Sequence, residues 1–166
     1  KASPETTKAF KQWLITAAAS KTNSSDWNTL TFTEARSDQA ATTLGTQADG
    51  ALLASGNPPA QETYILKTKP GLQQIRHLRI EALTHPSMKG NGPGRASNGN
   101  FALTNLQLFT SIPGQKTKEI KFTSAKATHQ QNTTNLSVAS AIDTDTSSSG
   151  WAVDAGGIGK DQAAVF

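Results

Sequence analysis

Cysteine is absent from this chain of 166 residues. Its absence excludes disulfide bonds, thiolate nucleophiles, zinc–thiolate sites, iron–sulfur clusters and covalently attached c-type haem, so we expect no haem on this chain. No apolar run approaches the length of a membrane-spanning helix, and no signal peptide is visible at the start. Because the chain opens at Lys1 rather than at Met, we expect a processed chain or an excised fragment of a multidomain protein.

Charge is also scarce, at 17% of residues, and the balance of 16 basic and 12 acidic side chains leaves a net charge of +4. Neutral polar residues take the place of charge, with 22 Thr and 15 Ser. Since β-branched Thr suits a pleated, half-wet surface, this composition favours β structure. We expect no nucleic-acid partner, because the basic residues are spread along the chain. The nearest approaches to a basic patch, interpreted as solvated strand faces, are Arg76, His77 and Arg79, and then Lys116, Lys118 and Lys121.

One amphipathic helix is predicted near the start, from Ser3 to Ala19. Ser3 is an N-cap residue, Pro4 suits the first helical position and Glu5 places an acid in the first turn. The helix and the polar linker after it form a predicted segment over residues 1–25. Its apolar stripe has helical spacing and consists of Phe10, Trp13, Leu14, Ala17 and Ala18.

From Trp27 onward the hydrophobic period becomes two, which indicates strands. About nine short strands separated by Gly, Pro and Asn turns indicate an all-β sandwich or barrel, and the fold that we predict over residues 26–166 is a two-sheet antiparallel β-sandwich. The apolar phase changes between residues 101–103 and 106–108, which predicts a bulge at Thr104 and Asn105. The register predicts that His77 and Arg79 face solvent. The side chains expected to be mostly buried are Leu78, Ile80, Phe101, Leu103, Leu106, Leu108 and Phe122.

The enzymatic motifs that the chain superficially suggests are incomplete. Residues 156–161 (GGIGKD) lack the first Gly and the final Ser or Thr of a phosphate-binding loop. His77, His85 and His129 do not have metal-ligand spacing, and no Gly-x-Ser-x-Gly occurs. We therefore predict that the chain is not an enzyme.

A glycine-rich loop over residues 90–100 has two interpretations. It is a tight connection that needs positive φ at several positions, or a loop whose carbonyls and Asn side chains face a cation or a sugar. On the second interpretation, Asn98 and Asn100 are ligand-binding candidates. Arg95 either holds the loop by bonding its carbonyls or grips the ligand.

The second candidate loop precedes Trp151 and places Asp143 two residues before Asp145, followed by Ser148. Carboxylate and hydroxyl oxygens on a compact loop are the ligands that Ca²⁺ prefers, so these three residues are the predicted ligands of a structural calcium ion. The alternative is a loop of Asx turns whose acids are solvated.

Several motifs occur in order at residues 49–56, 64, 78–83, 92–95 and 98–104, with supporting matches at 10, 13, 27, 141–143 and 150–153. Together they resemble a β-sandwich module of large planctomycete and verrucomicrobial proteins, which carry cytochrome-like domains and conserved domains of unknown function. The resemblance implies a galactose-binding-like jelly roll and an extracytoplasmic location, whether periplasmic, cell-surface or secreted. The stretch leading to Trp151 also resembles the calcium loop of discoidin-type sugar-binding modules, although Thr144 stands where those modules usually have Gly.

The leading hypothesis is a non-catalytic carbohydrate-binding module that tethers a larger assembly to polysaccharide. Sugar rings stack on aromatic faces, and Trp151 is the candidate platform, with a core tryptophan as the alternative. The rival hypothesis is a structural module that docks other domains or chains of the same assembly, without a small ligand. In the resembled family the last strand is followed by two more, so we expect that the sandwich lacks its last strands. Another polypeptide would then complete it, unless those strands were removed or the sheet closes without them.

Overall fold

The computed structural model describes residues 27–72 and 74–166. The predicted helix over Ser3 to Ala19 and its linker lie outside the described residues. The described chain is mainly β, with antiparallel strand pairs and two short 3₁₀ segments, Lys89–Asn91 and Val138–Ala141. The eleven strands are β1 Phe32–Ser37, β2 Thr42–Thr46, β3 Leu52–Gly56, β4 Tyr64–Thr68, β5 Arg79–Ala82, β6 Ala102–Leu103, β7 Leu108–Thr110, β8 Lys118–Ile120, β9 Lys126–Ala127, β10 Trp151–Ala152 and β11 Gln162–Val165.

The chain divides into two compact units, the first ending at residue 73. In the first unit, β1 pairs with β4, and β2 pairs with β3. The hairpin between β2 and β3 turns at Gly50, whose φ of 86° requires glycine, and the Asp49 carboxylate accepts a 2.9 Å hydrogen bond from the Ala51 N–H. Only Thr42 is buried among the described residues of this unit. Its strands are therefore held by ladder hydrogen bonds and by partly exposed side chains.

The second unit, Gln74–Phe166, contains the hydrophobic core. The strand β11 lies between β5 and β9 in a three-stranded sheet, while β6 pairs with β10 and β7 pairs with β8. One further backbone pair, Leu78 with Phe166, extends the contact between β5 and β11 at 2.9 and 3.0 Å. The core side chains are Val138, Ala141, Trp151, Val153, Ala164 and Phe166.

The register predicted for β5 is confirmed. Leu78 and Ile80 are half-buried, whereas His77 and Arg79 are exposed, as period-two alternation requires. All seven side chains predicted to be buried are half-buried rather than fully enclosed. Five of them, including Ile80 and Phe122, pack directly against the core cluster. The fully enclosed positions are instead Ala141 in the second 3₁₀ segment, Trp151, Ala152 and Val153 in and after β10, and Ala164 in β11.

The predicted bulge at Thr104 and Asn105 is wrong. The strand β6 ends at Leu103, and β7 begins at Leu108, in a different strand pair. Between them the Leu106 N–H donates a 2.8 Å hydrogen bond to the carbonyl of Ala141. The phase of the apolar residues changes because the two halves of this stretch face different partners, and a sequence pattern alone does not distinguish such a break from a bulge.

Candidate functional site

The glycine-rich loop is a tightly built connection. Its segment Gly92, Pro93 and Gly94 is buried, and the Gly94 N–H donates a 2.8 Å hydrogen bond to the carbonyl of Gly99. A Cβ on Gly94 would lie 2.0 Å from the backbone oxygen of Asn100, so only glycine allows the two arms of the loop to approach this closely. The glycines at these positions are therefore explained by backbone packing.

Asn100 is a structural residue of this loop. Its Oδ1 accepts a 3.0 Å hydrogen bond from the Val153 N–H, and its Nδ2 donates at 3.1 Å to Oε1 of Gln131. The side-chain amide thus ties the glycine-rich loop to the segment after β10 and to the loop that contains Gln131. Because both ends of the half-buried amide are occupied within the unit, Asn100 is committed to holding these loops together.

Asn98 lies on the surface of the same loop. Its Nδ2 donates a 3.1 Å hydrogen bond to Oδ2 of Asp154, and its Oδ1 accepts one from the Asn100 N–H at 3.1 Å. Asp154 was not among the predicted site residues; it lies in the turn after β10, where Ala155 adopts a φ of 61°. Arg95 is half-buried in the loop and is already engaged in an interaction. Asn98 and Asp154 form the polar pair that this loop cluster presents.

The prediction that Trp151 is a sugar platform is corrected by the structure, because the indole is 0% exposed. Its Nε1–H donates a 2.8 Å hydrogen bond to the carbonyl of His129. Its ring packs against Phe101 in a T-shaped arrangement, with the ring centroids 5.1 Å apart and the ring planes at 87°. The alternative interpretation, a core tryptophan beside a turn, describes this position. A stacking platform needs a ring face open to solvent.

The predicted calcium ligands lie in one loop, where their carboxylates are bonded to the loop itself. Asp145 accepts hydrogen bonds from the backbone N–H groups of Ser147 and Ser148 at 2.8 and 3.0 Å, and from both serine hydroxyls. Asp143 accepts from the Asp145 N–H at 2.8 Å and from the Ser149 hydroxyl at 2.9 Å. The hydroxyl of Ser148 and these N–H donors hold the pKa of Asp145 well below its usual range.

This arrangement matches the Asx-turn interpretation of the loop. A calcium ion at this position would have to replace the hydrogen bonds that Asp143, Asp145 and Ser148 already make. Within residues 27–72 and 74–166, no cluster of three or more His, Asp or Glu side chains has the arrangement of a metal site. The calcium site remains a prediction that rests on the composition of the loop.

A second feature is a groove lined by six apolar, three basic and one hydroxyl side chain, all of them from the second unit. Its most enclosed side chains are Phe166, which is buried, and Leu78 and Phe122, which are half-buried. The rings of Phe122 and Phe166 contact each other with centroids 5.6 Å apart. The apolar lining consists of Ile75, Leu78, Leu108, Ile120, Phe122 and Phe166.

Basic side chains surround this groove. Arg76, His77 and Lys121 line it, and no acidic residue does. Arg76 and Lys121 belong to the two stretches that the sequence suggested as the nearest approach to a basic patch. Residues 75–78 lead into β5, and residues 120–123 comprise the last residue of β8 and the segment after it. Both stretches line the same groove, and Arg76 and Lys121 therefore share it. The sequence contains the charges, but their shared position depends on the pairing of distant strands.

No family model, curated protein or solved structure matches this chain. Among the described residues, no helix has the length and apolarity needed to cross a membrane.

Proposed function

We propose that this chain is a non-catalytic module that docks other polypeptides in a larger extracytoplasmic assembly, and that its strands belong to a galactose-binding-like jelly roll. The observation that carries the proposal is the groove of the second unit. Ile75, which is 54% exposed, lines the groove, whereas the exposed Phe109 and Ile112 are not part of its lining. Apolar surface that is gathered around a groove, rather than scattered singly, is typical of an interaction site. The extracytoplasmic location rests on the family resemblance.

Carbohydrate binding is the second candidate function. It is favoured by the Asn98–Asp154 pair, whose amide and carboxylate lie on a surface loop and have the chemistry that binds sugar hydroxyls. The burial of Trp151 argues against it, because the predicted stacking platform is enclosed. In the described part of the second unit, Phe109 is the only aromatic side chain that is largely exposed, and it lies on β7. The polysaccharide hypothesis therefore depends on polar contacts alone.

Two selections made in parallel with the same protein test the proposal. One screens a display library of random peptides, and the other screens a polysaccharide array with Ca²⁺ and with chelator. The polypeptide-docking function predicts enriched peptides that bind the purified chain in solution and no polysaccharide signal. The opposite result would support carbohydrate binding: no peptide is enriched, and the chain binds a polysaccharide unless Asn98 is replaced by Ala. Asn28→Ala, an exposed asparagine in the first unit, is the control for that variant.

A further inference from the structure

We propose that the hairpin of β7 and β8 binds the surface of an anionic lipid bilayer, with its apolar tip inserted among the headgroups. The side chains that carry this inference are Phe109 and Ile112, two exposed apolar residues that do not line the groove. The inference goes beyond the proposed docking function and does not rest on it, because it concerns a different surface and a different kind of partner.

The hairpin projects from the second unit. Its two strands pair only with each other among the described residues, and the ten consecutive residues 109–118 are all exposed. The Gln115 N–H donates a 3.0 Å hydrogen bond to the carbonyl of Ile112, which closes a tight turn with Pro113 and Gly114 at its centre. A Cβ on Gly114 would meet no atom within 4 Å, so the turn stands in open space.

The apolar side chains of the hairpin lie at the turn and three residues before it. Ile112 begins the turn and is 55% exposed, and Phe109 is 52% exposed. Pro113 adds apolar surface next to Ile112 and has no N–H group to be removed from water. Burial of such apolar surface at the boundary between headgroups and acyl chains supplies part of the membrane affinity of peripheral proteins.

Basic side chains follow the tip, and no acidic residue occurs within residues 107–118. Lys116 and Lys118 are exposed, and within the described residues their ammonium groups make no hydrogen bond or ion pair. The next acid along the chain, Glu119, bonds Lys121 at 2.5 Å. Two unpaired lysines beside an apolar tip are complementary to anionic headgroups, where each lysine contributes about fivefold in affinity.

The shape of the hairpin favours a lipid surface over a peptide. Peptides are bound in grooves, in pockets or along sheet edges, where some of their side chains are enclosed. The projecting tip encloses no side chain of a partner. Its apex can instead enter a layer of headgroups, while the flexible stems of Lys116 and Lys118 place their charges at the level of the lipid phosphates.

Vesicle flotation of the full chain is the first test. Vesicles of phosphatidylcholine alone are compared with vesicles that also contain about 30% phosphatidylglycerol, an anionic lipid. We expect binding to the anionic vesicles and at least about tenfold weaker binding to the neutral ones. Binding to the anionic vesicles should also weaken at high salt, because salt screens exposed charges.

Two hairpin variants are compared with matched controls in the same unit. Ile112→Asp and Lys116→Glu are each expected to weaken binding to the anionic vesicles about fivefold or more. The control for the first is Ile75→Asp, at 54% exposure against 55%, and the control for the second is Lys89→Glu, an exposed lysine outside the hairpin. Both controls should have smaller effects. Circular dichroism spectra and melting curves establish that all four variants fold.

The absence of cysteine allows insertion of the tip to be measured directly. Ile112→Cys and the control Ile75→Cys each receive one environment-sensitive NBD fluorophore. When the labelled chains bind anionic vesicles, the emission of the label at position 112 should increase and shift to the blue, because that label leaves water. The emission of the label at position 75 should not change.

Four results would each overturn the inference: no binding to anionic vesicles, equal binding to neutral and anionic vesicles, equal effects of the hairpin variants and their controls, or no change in the emission of the label at position 112. If no vesicle binds and Ile112→Asp, but not Ile75→Asp, abolishes binding of peptides from the display selection, the partner of the hairpin is a polypeptide. The lipid assignment is then wrong, and the docking function survives on a different surface.

Discussion

Replacing Trp151 with Phe tests whether this residue is a core side chain or a ligand platform. The change removes the indole N–H that donates to the carbonyl of His129 at 2.8 Å, in a position that is 0% exposed. Leaving this partly buried carbonyl without its partner costs about 1–2 kcal/mol. Replacing the indole with the smaller phenyl ring leaves unfilled volume that costs about another 1–2 kcal/mol. The expected decrease in the free energy of unfolding is therefore about 2–4 kcal/mol.

The measurement is urea unfolding of the full chain, followed by far-ultraviolet circular dichroism. With an m-value of about 2 kcal/mol per molar urea for a unit of this size, the midpoint of the second unit should fall by about 1–2 M. Phe109→Leu is the control, because Phe109 is 52% exposed and its replacement should change stability by less than about 0.5 kcal/mol. If Trp151→Phe is as harmless as the control but reduces binding to a polysaccharide, the indole is a ligand platform and the core assignment is wrong.

Three further predictions concern a glycine, a pH-dependent carboxylate and calcium. Gly94→Ala, whose Cβ would lie 2.0 Å from a backbone oxygen, should cost about 3 kcal/mol or more in a thermal melt. Gly114→Ala meets no atom within 4 Å and should cost only about 1–2 kcal/mol for its φ of 79°; equal losses would contradict the packing argument. Hydrogen bonds from Thr84 lower the pKa of Asp161, so its ionised form stabilises the fold above about pH 4, and this contribution is lost as the pH falls through the lowered pKa. Melting temperatures of Asp161→Asn and of the original chain should therefore differ at pH 7 and converge in acid, and a pH-independent difference would refute the assignment. If Ca²⁺ binds the predicted loop, calcium raises the melting temperature of the chain and Asp143→Asn abolishes that rise. A melting temperature that neither calcium nor chelator changes would contradict the predicted calcium site.

Much of the secondary structure of the second unit could be predicted from the sequence. The alternation around Leu78 and Ile80 correctly predicted both the strand and its buried face. Side chains of a strand alternate between its two faces whatever the strand packs against, so the pattern is visible in the sequence. The antiparallel, mainly β class followed from the same periodicity and from the frequent turn residues.

The roles of single side chains depended on the tertiary structure. Trp151 was compatible with either a platform or the core, and only the packing of Phe101 and the position of the His129 carbonyl decide between them. Asn100 looked like a ligand-binding amide, but its partners Gln131 and Val153 are distant in sequence. A side-chain hydrogen bond between distant residues leaves no periodic trace, so local pattern cannot reveal it.

By itself, the sequence determined the absence of thiol chemistry, the β class of residues 27–166 and the chemical character of each loop, because these follow from residue type and local spacing. Only the tertiary structure decided which of those residues share a surface. Arg76 and Lys121 lie 45 positions apart and reach one groove because residues 75–78 and 120–123 are brought together by the fold. Pairing between distant strands creates such a juxtaposition. The entropy lost in closing the long intervening loop is offset by contacts between residues that are far apart in the sequence, and no short stretch of the chain reveals these contacts.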